Sequence, residues 1–260
     1  MQRVAEYAPL LLPCIMALLF LYIVVSTITW AGLKSLQMIF SEEAVFAVKL
    51  SLITSLTATI AALSTSIPLA YVLSRHNFRG KSVVETILMI PFAMPPVALG
   101  TILLIFFTNT FAGKTLDSLF SIVFEVPGLV VAQYTVILPM MTKILKSTFD
   151  MVDIKYEAVA RTLGYSRTAV LYKVVLPMSK TGVFSAFILG FSRALGEFGA
   201  SVTLAGATRF KTETLPIAIY LALTSGDIAL TIALLVILLI IAFITLVALN
   251  IIEKKKTIMI

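Results

Sequence analysis

Residues 228–252 read IALTIALLVILLIIAFITLVALNII, twenty-five positions without one Asp, Glu, Lys or Arg. As an α-helix at about 1.5 Å per residue this stretch is about 37 Å long, more than the roughly 30 Å of a bilayer's hydrocarbon core. The rest of the chain repeats the pattern. No charged residue falls between Glu6 and Lys34, between Lys49 and Arg75, between Glu85 and Lys114, or between Glu125 and Lys143. The last of these windows is the shortest and must use its flanks to span. Residues 181–205 are also apolar, and they span if Arg193 and Glu197 are accommodated inside the membrane. Six transmembrane helices follow, an all-α polytopic membrane protein forming one transmembrane domain over residues 1–260. Composition agrees: of 260 residues, 60% are hydrophobic and 13% charged, about half the charged share of ordinary soluble domains.

The first segment follows Arg3, as a signal peptide would. Residues 7–33 exceed a signal core in length, however, and no small-residue cleavage site closes them, so a retained helix is expected. Cys14 lies in that helix and is the chain's one cysteine, so no internal disulfide can form; it reads as a small apolar residue. The net charge of +7 reports topology rather than nucleic-acid binding. With six crossings both termini share a side. That side holds Arg3, the 75–81 loop, the 143–180 segment and Lys254 to Lys256, fourteen Lys and Arg against five on the other side (Lys34, Lys49, Lys114, Arg209 and Lys211). The positive-inside rule places both termini in the cytoplasm of a cell membrane. Anionic lipid headgroups are sufficient partners for the basic loops.

Helix 1 is expected over residues 10–30, helix 2 over 45–74, and helix 3 after the cytoplasmic turn 75–82. Pro91, Pro95 and Pro96 fall in helix 3, where each removes a backbone donor and crowds the preceding turn, so the helix must kink or break. Broken backbone at membrane depth is tolerated against protein or a water-filled cavity. Pro91 to Pro96 therefore line a pathway or make a plain kink. Residues 111–126 read as an outer loop, and helix 4 as residues 127–146. Gly113-Lys-Thr115 and Gly80-Lys-Ser82 resemble the end of a phosphate loop, but Thr108 and Arg75 stand where its first glycine belongs. Any ATP hydrolysis must then come from another polypeptide. One His and one Cys cannot build a metal cluster, and His76 reads as a solvated loop residue.

Residues 148–180 are the longest polar segment. Asp153 can cap a short helix in which Val152, Tyr156, Val159 and Leu163 recur at helical spacing. Gly164 can end it, Ser166 can start a second short helix, and Pro177 suits the first turn of the next long one. By periodicity this is either a cytoplasmic docking element or an amphipathic segment lying on the membrane surface.

Glu157-Ala-Val-Ala160, Gly164 and then Val174-Val-Leu-Pro177 resemble the EAA motif of permeases in ATP-binding-cassette (ABC) importers, with nine residues between the glycine and the aliphatic-x-Leu-Pro. Here Glu157 stands seven residues before Gly164 and Val159 splits the alanines. The resemblance implies the type I importer permease fold and coupling helices that sit in a cleft of the ATPase. The coupling residues it implies are Glu157, Ala158, Ala160 and Gly164, with Leu176 and Pro177 opening the next helix. It also implies that Glu157 and Gly164 serve coupling rather than folding. Arg193-Ala-Leu-Gly-Glu-Phe-Gly-Ala200, residues 211–220 (KTETLPIAIY) and Ser225-Gly-Asp227 are similar to molybdate and tungstate permeases, and sulfate permeases share much of the first portion. In that family two identical permease subunits pair with two ATPase subunits, which bind the ATP and magnesium. An extracytoplasmic binding protein delivers the oxyanion. This chain is then a transport subunit that uses alternating access, with no catalytic residue and no cofactor of its own.

Arg193 and Glu197 are i and i+4, neighbours on one helix face. The pair either braces helix 5, expected within residues 181–205, by mutual neutralisation or meets the passing anion, and intramembrane ionisable groups fit both. Ser192, Ser201 and Thr203 could supply hydrogen bonds along the pathway, with Pro95 at the kink of helix 3. A secondary transporter would need no long polar 148–180 segment. A membrane-bound enzyme would need a nucleophile and base, which do not accompany Arg193 and Glu197.

Overall fold

The computed structural model describes residues 2–257, whose regular structure is helical, with no strand among them. The side chains of Arg3, Lys34 and Lys254 to Lys256, which enter the charge count, lie outside those described. The chain forms α1 (Gln2–Gln37), α2 (Glu42–Arg75), α3 (Lys81–Ala93), α4 (Pro96–Asn109), α5 (Phe111–Phe120) and α6 (Val126–Asp150). It continues with α7 (Ile154–Thr162), α8 (Arg167–Val170), a π-helical turn over Leu171–Val175, and α9 (Leu176–Met178). Last come α10 (Lys180–Leu195), α11 (Gly199–Ala205), α12 (Leu215–Thr224) and α13 (Ile228–Thr257). Glu42–Arg75, Val126–Asp150 and Ile228–Ile251 are each long and apolar enough to cross a membrane. Two bent pairs pass the same test, α3 with α4 at 108° and Arg167–Met178 with α10 at 82°. With the shorter apolar stretch Pro13–Thr27 of α1, all six expected segments are helical.

α2 is the axis of the bundle. It packs along α6, and α10 lies against both. The buried face of α2 is a run of small residues, Ala44, Ala47, Ser51, Thr54, Ala58, Ala62, Ser66 and Ala70, while Ile53 and Ile60 point outward. Lipid tails are as apolar as leucine, so helices in a bilayer gain little by burying large apolar side chains; small residues let backbones approach and hydroxyls join them. Gln133 Nε2 of α6 donates to Thr54 Oγ1 at 3.3 Å, and the Thr142 and Ser66 hydroxyls lie 3.2 Å apart.

Four elements differ from the expectation. The outer loop at 111–126 is partly helix α5, because Thr110 Oγ1 caps it by accepting from Gly113 N at 3.0 Å. Helix 5 is not continuous: α10 stops at Gly196 and α11 starts at Gly199. Pro177 opens the three-residue α9 rather than the long helix, which begins after the bend at Ser179. The apolar helix α12 sits between the fifth and sixth segments, where none was expected.

Candidate functional site

The 148–180 segment folds as its caps dictate. Asp153 accepts from Lys155 N at 2.9 Å and starts α7, and Ser166 accepts from Ala169 N at 3.2 Å and starts α8. Between them Gly164 adopts φ +89°. Its N–H donates to Arg161 O at 3.0 Å and the Tyr165 N–H donates to Ala160 O at 3.2 Å, the paired bonds of a left-handed helix stop. A Cβ at Gly164 would meet no atom within 4 Å. The cost of a side chain there is therefore conformational, on the order of 1–2 kcal/mol.

Glu157 turns inward. It is 7% exposed, forms an ion pair with Arg75, and accepts from Tyr71 Oη at 2.8 Å. Arg75 Nη2 also donates to Val152 O at 2.8 Å, so α7 is fastened to the end of α2. Ala160 is buried in a cluster with Ala70, Tyr71, Phe149, Val170 and Val175, and Leu176 packs at its edge. Ala158 and Pro177 are exposed. Of the predicted apolar stripe, Val152 is buried, whereas Tyr156, Val159 and Leu163 face outward, Leu163 at 74% exposure. The segment thus has an inner face that anchors it and an outer apolar face that stands exposed among the described residues.

The second constellation joins the two helix breaks. A Cβ on Gly199 would lie 2.9 Å from Pro96 Cβ and 3.0 Å from Val97 N, and one on Gly100 would lie 2.8 Å from Ala200 Cα and from Thr203 Cβ. Glycine at both positions is what lets α4 and α11 cross at backbone distance. Arg193 faces this crossing from α10, lining a cavity of about 50 Å³ with Pro91, Phe92, Met94, Pro96 and Val136. Its Nη1 donates to Glu197 Oε2 at 2.6 Å. Glu197 is 1% exposed, and its other oxygen accepts from Ala200 N at 2.9 Å, capping α11. The carboxylate therefore both neutralises Arg193 and stabilises the helix that resumes after the break. The Arg193 side chain, 38% exposed, keeps further guanidinium donors available.

The remaining candidates divide. Thr203 Oγ1 donates to Gly199 O at 2.7 Å, so its proton is committed to its own helix. Ser201 is fully buried with no hydrogen-bond partner for Oγ among the described residues. Ser192 is half-buried beside Arg193. Pro95 is exposed and does not line the cavity; its neighbours Pro91 and Pro96 do.

A third cluster escaped the sequence reading. Glu213 is fully buried in the loop before α12, where Oε2 accepts from Phe210 N at 2.9 Å. Burial, and secondarily the neighbouring Glu43 carboxyl, push its pKa up to about 7. Arg209 Nε lies 3.6 Å from Glu43 Oε1, Lys211 pairs with Glu125, and Leu215 N donates to Ser51 Oγ at 2.6 Å, so the loop is tied down on three sides. Thr-Glu-Thr at 212–214 looks solvated in sequence, and nothing in its composition signals burial.

Residues 66–258 match the family of binding-protein-dependent transport system inner membrane components. Over 177 residues the chain is 36% identical to the molybdenum transport system permease protein of Haemophilus influenzae, covering 67% of this chain and 77% of that one. It is 35% identical over 186 residues to the corresponding Escherichia coli protein (70% and 81%). Against the molybdate/tungstate transport system permease protein of Methanocaldococcus jannaschii it is 32% identical over 185 residues (71% and 72%). In fold it is similar to a chain of a bacterial alginate ABC transporter solved in complex with an alginate pentasaccharide-bound periplasmic protein. The TM-score is 0.77 at 16% identity, covering 98% of this chain and 96% of that one.

Proposed function

This chain belongs to the family of binding-protein-dependent transport system inner membrane components, and we propose that it is the membrane-spanning permease of an ABC importer for molybdate or tungstate. Identities of 32–36% to permeases with those substrates support the cargo. In this reading two copies pair in the membrane, each meets an ATPase subunit that binds the ATP and magnesium, and an extracytoplasmic binding protein delivers the oxyanion. The end carrying Arg75 and α7 to α9 faces the cytoplasm. ATP binding closes the ATPase pair, and the outer face of α7 receives that movement. Because Glu157 ties α7 to Arg75, displacement of α7 passes to α2 and thence to the packed α6 and α10.

The observation that carries this mechanism is the crossing of two interrupted helices beside Arg193. Interrupted helices leave fewer backbone bonds to resist bending, and bundles built on them alternate by rocking about such points. Arg193 is already neutralised by Glu197, so the crossing offers a passing dianion weak attraction rather than a trap. Conduction needs binding that can be left as readily as entered, and selectivity then falls mainly to the separate capture protein. The test is equilibrium binding of molybdate, tungstate and sulfate to the purified permease–ATPase complex without the capture protein, with any regulatory site on the ATPase removed. No submicromolar binding is expected. Submicromolar binding that Arg193→Gln abolishes would overturn the low-affinity pathway and make Arg193 a substrate ligand.

A further inference from the structure

Beside α7 lies a cavity of about 250 Å³ lined by Tyr71, Arg75, His76, Ile154, Glu157, Ala158, Arg161 and Arg167. Its charges are unequal. Arg75 is spent on Glu157, Val152 O and Ser74 Oγ. Arg161 makes no ion pair among the described residues. Arg167 Nη1 lies 2.9 Å from His76 Nε2, a contact with a ring nitrogen that brings no anion to Arg167. Two guanidiniums thus line the cavity, and Glu157, which lines it too, is taken by Arg75; neither Arg161 nor Arg167 has an ion pair among the described residues.

We propose that this cavity is the seat of a carboxylate side chain, an Asp or Glu of the ATPase, gripped by Arg161 and Arg167. The inference rests on the docking reading above and adds the chemistry of the contact. Ile154, 63% exposed, lines the cavity and adjoins the apolar face of Tyr156, Val159 and Leu163. A partner that covers this face therefore also covers the cavity mouth. Closing it with a neutral surface would desolvate two unpaired cations, which is strongly unfavourable. A partner that binds must bring an anion. Glu157 in the cavity wall disfavours a dianion by repulsion, whereas a single carboxylate fits a guanidinium fork bidentately.

The experiment measures binding of the purified ATPase to the purified permease in zwitterionic detergent, from low to high salt. Arg161→Gln removes a side chain with no ion pair among the described residues, so folding should be spared. It should weaken binding about tenfold at low salt and flatten the salt dependence, and Arg161→Lys should restore part of both. Leu163→Asp, on the apolar face, should abolish binding at every salt concentration. If Leu163→Asp abolishes binding while Arg161→Gln and Arg167→Gln bind with wild-type affinity and salt dependence, the carboxylate seat is wrong and docking stands. If Leu163→Asp binds as wild type, the docking reading fails, and the seat with it. An Arg161→Gln defect seen only when anionic lipid is added would assign the cavity to a headgroup and overturn the proposal.

Discussion

Glu213 shows how a single residue can carry a condition-dependent term that sequence conceals. Its carboxyl is fully buried beside Glu43, and its pKa rises from 4.5 to about 7, chiefly by burial. A raised folded-state pKa means that the folded chain holds its proton longer than the unfolded one. The stabilisation is intact below about pH 4.5, falls as pH climbs toward 7, and levels off above that. Thermal denaturation of the purified protein should therefore show stability declining across that window by on the order of 2 kcal/mol. Glu213→Gln, which keeps an oxygen for Phe210 N, should make the profile flat; an unchanged slope in that variant would remove Glu213 as its source. Other residues were legible from local chemistry. Asp153, Gly164 and Ser166 act at α7 and α8 as their types and spacing demand, because caps and left-handed stops depend on a few neighbouring atoms. Glu157 was legible as part of a motif. Its inward turn toward Arg75 was not, because that pair joins positions 82 residues apart in the chain.

At the scale of elements, proline announced one interruption and nothing announced the other. Pro95 and Pro96 sit at the break between α3 and α4, where Pro95 is the N-cap and Pro96 the first residue of α4, so two successive backbone donors that an unbroken helix would use are missing. The gap between α10 and α11 occurs at Gly196, Glu197 and Phe198, which individually permit a helix. What sets it is tertiary: Gly199 meets Pro96 and Val97, and Glu197 swings to cap α11 and hold Arg193. The helix α5 was read as loop, yet its Thr110 cap stood in plain view. The orientation proposed for the elements across the membrane rests on the fourteen-to-five distribution of basic residues, and it is open to a direct test. In a Cys14→Ala background, Thr115→Cys on α5 should react with an impermeant thiol reagent applied to intact cells, and Thr168→Cys on α8 should not. Both positions are exposed. Reaction at Thr168→Cys, alone or with the other, would reverse or remove the assigned orientation.

Taken as a whole, the molecule was most legible where physics is coarsest. Windows without charge mark the spans whatever their tertiary contacts, because bilayer thickness sets their length. The packing order was hidden, since in lipid it rests on small residues and scattered hydroxyls rather than on a hydrophobic stripe. The run from Ala44 to Ala70 on α2 is recognisable as an interface once α6 is seen against it. The candidate pathway emerged only when residues from α3, α4, α6 and α10 met around one small cavity. The claim that unites these features is that the chain passes a tetrahedral oxyanion at the expense of ATP hydrolysed elsewhere. The most direct measurement is uptake of labelled molybdate and tungstate into proteoliposomes holding the permease and its ATPase. The account predicts accumulation that requires ATP inside, the capture protein outside and the ATPase on the membrane, with little competition from sulfate. Accumulation by the permease alone without ATP, or uptake of sulfate in place of both other oxyanions, would contradict it.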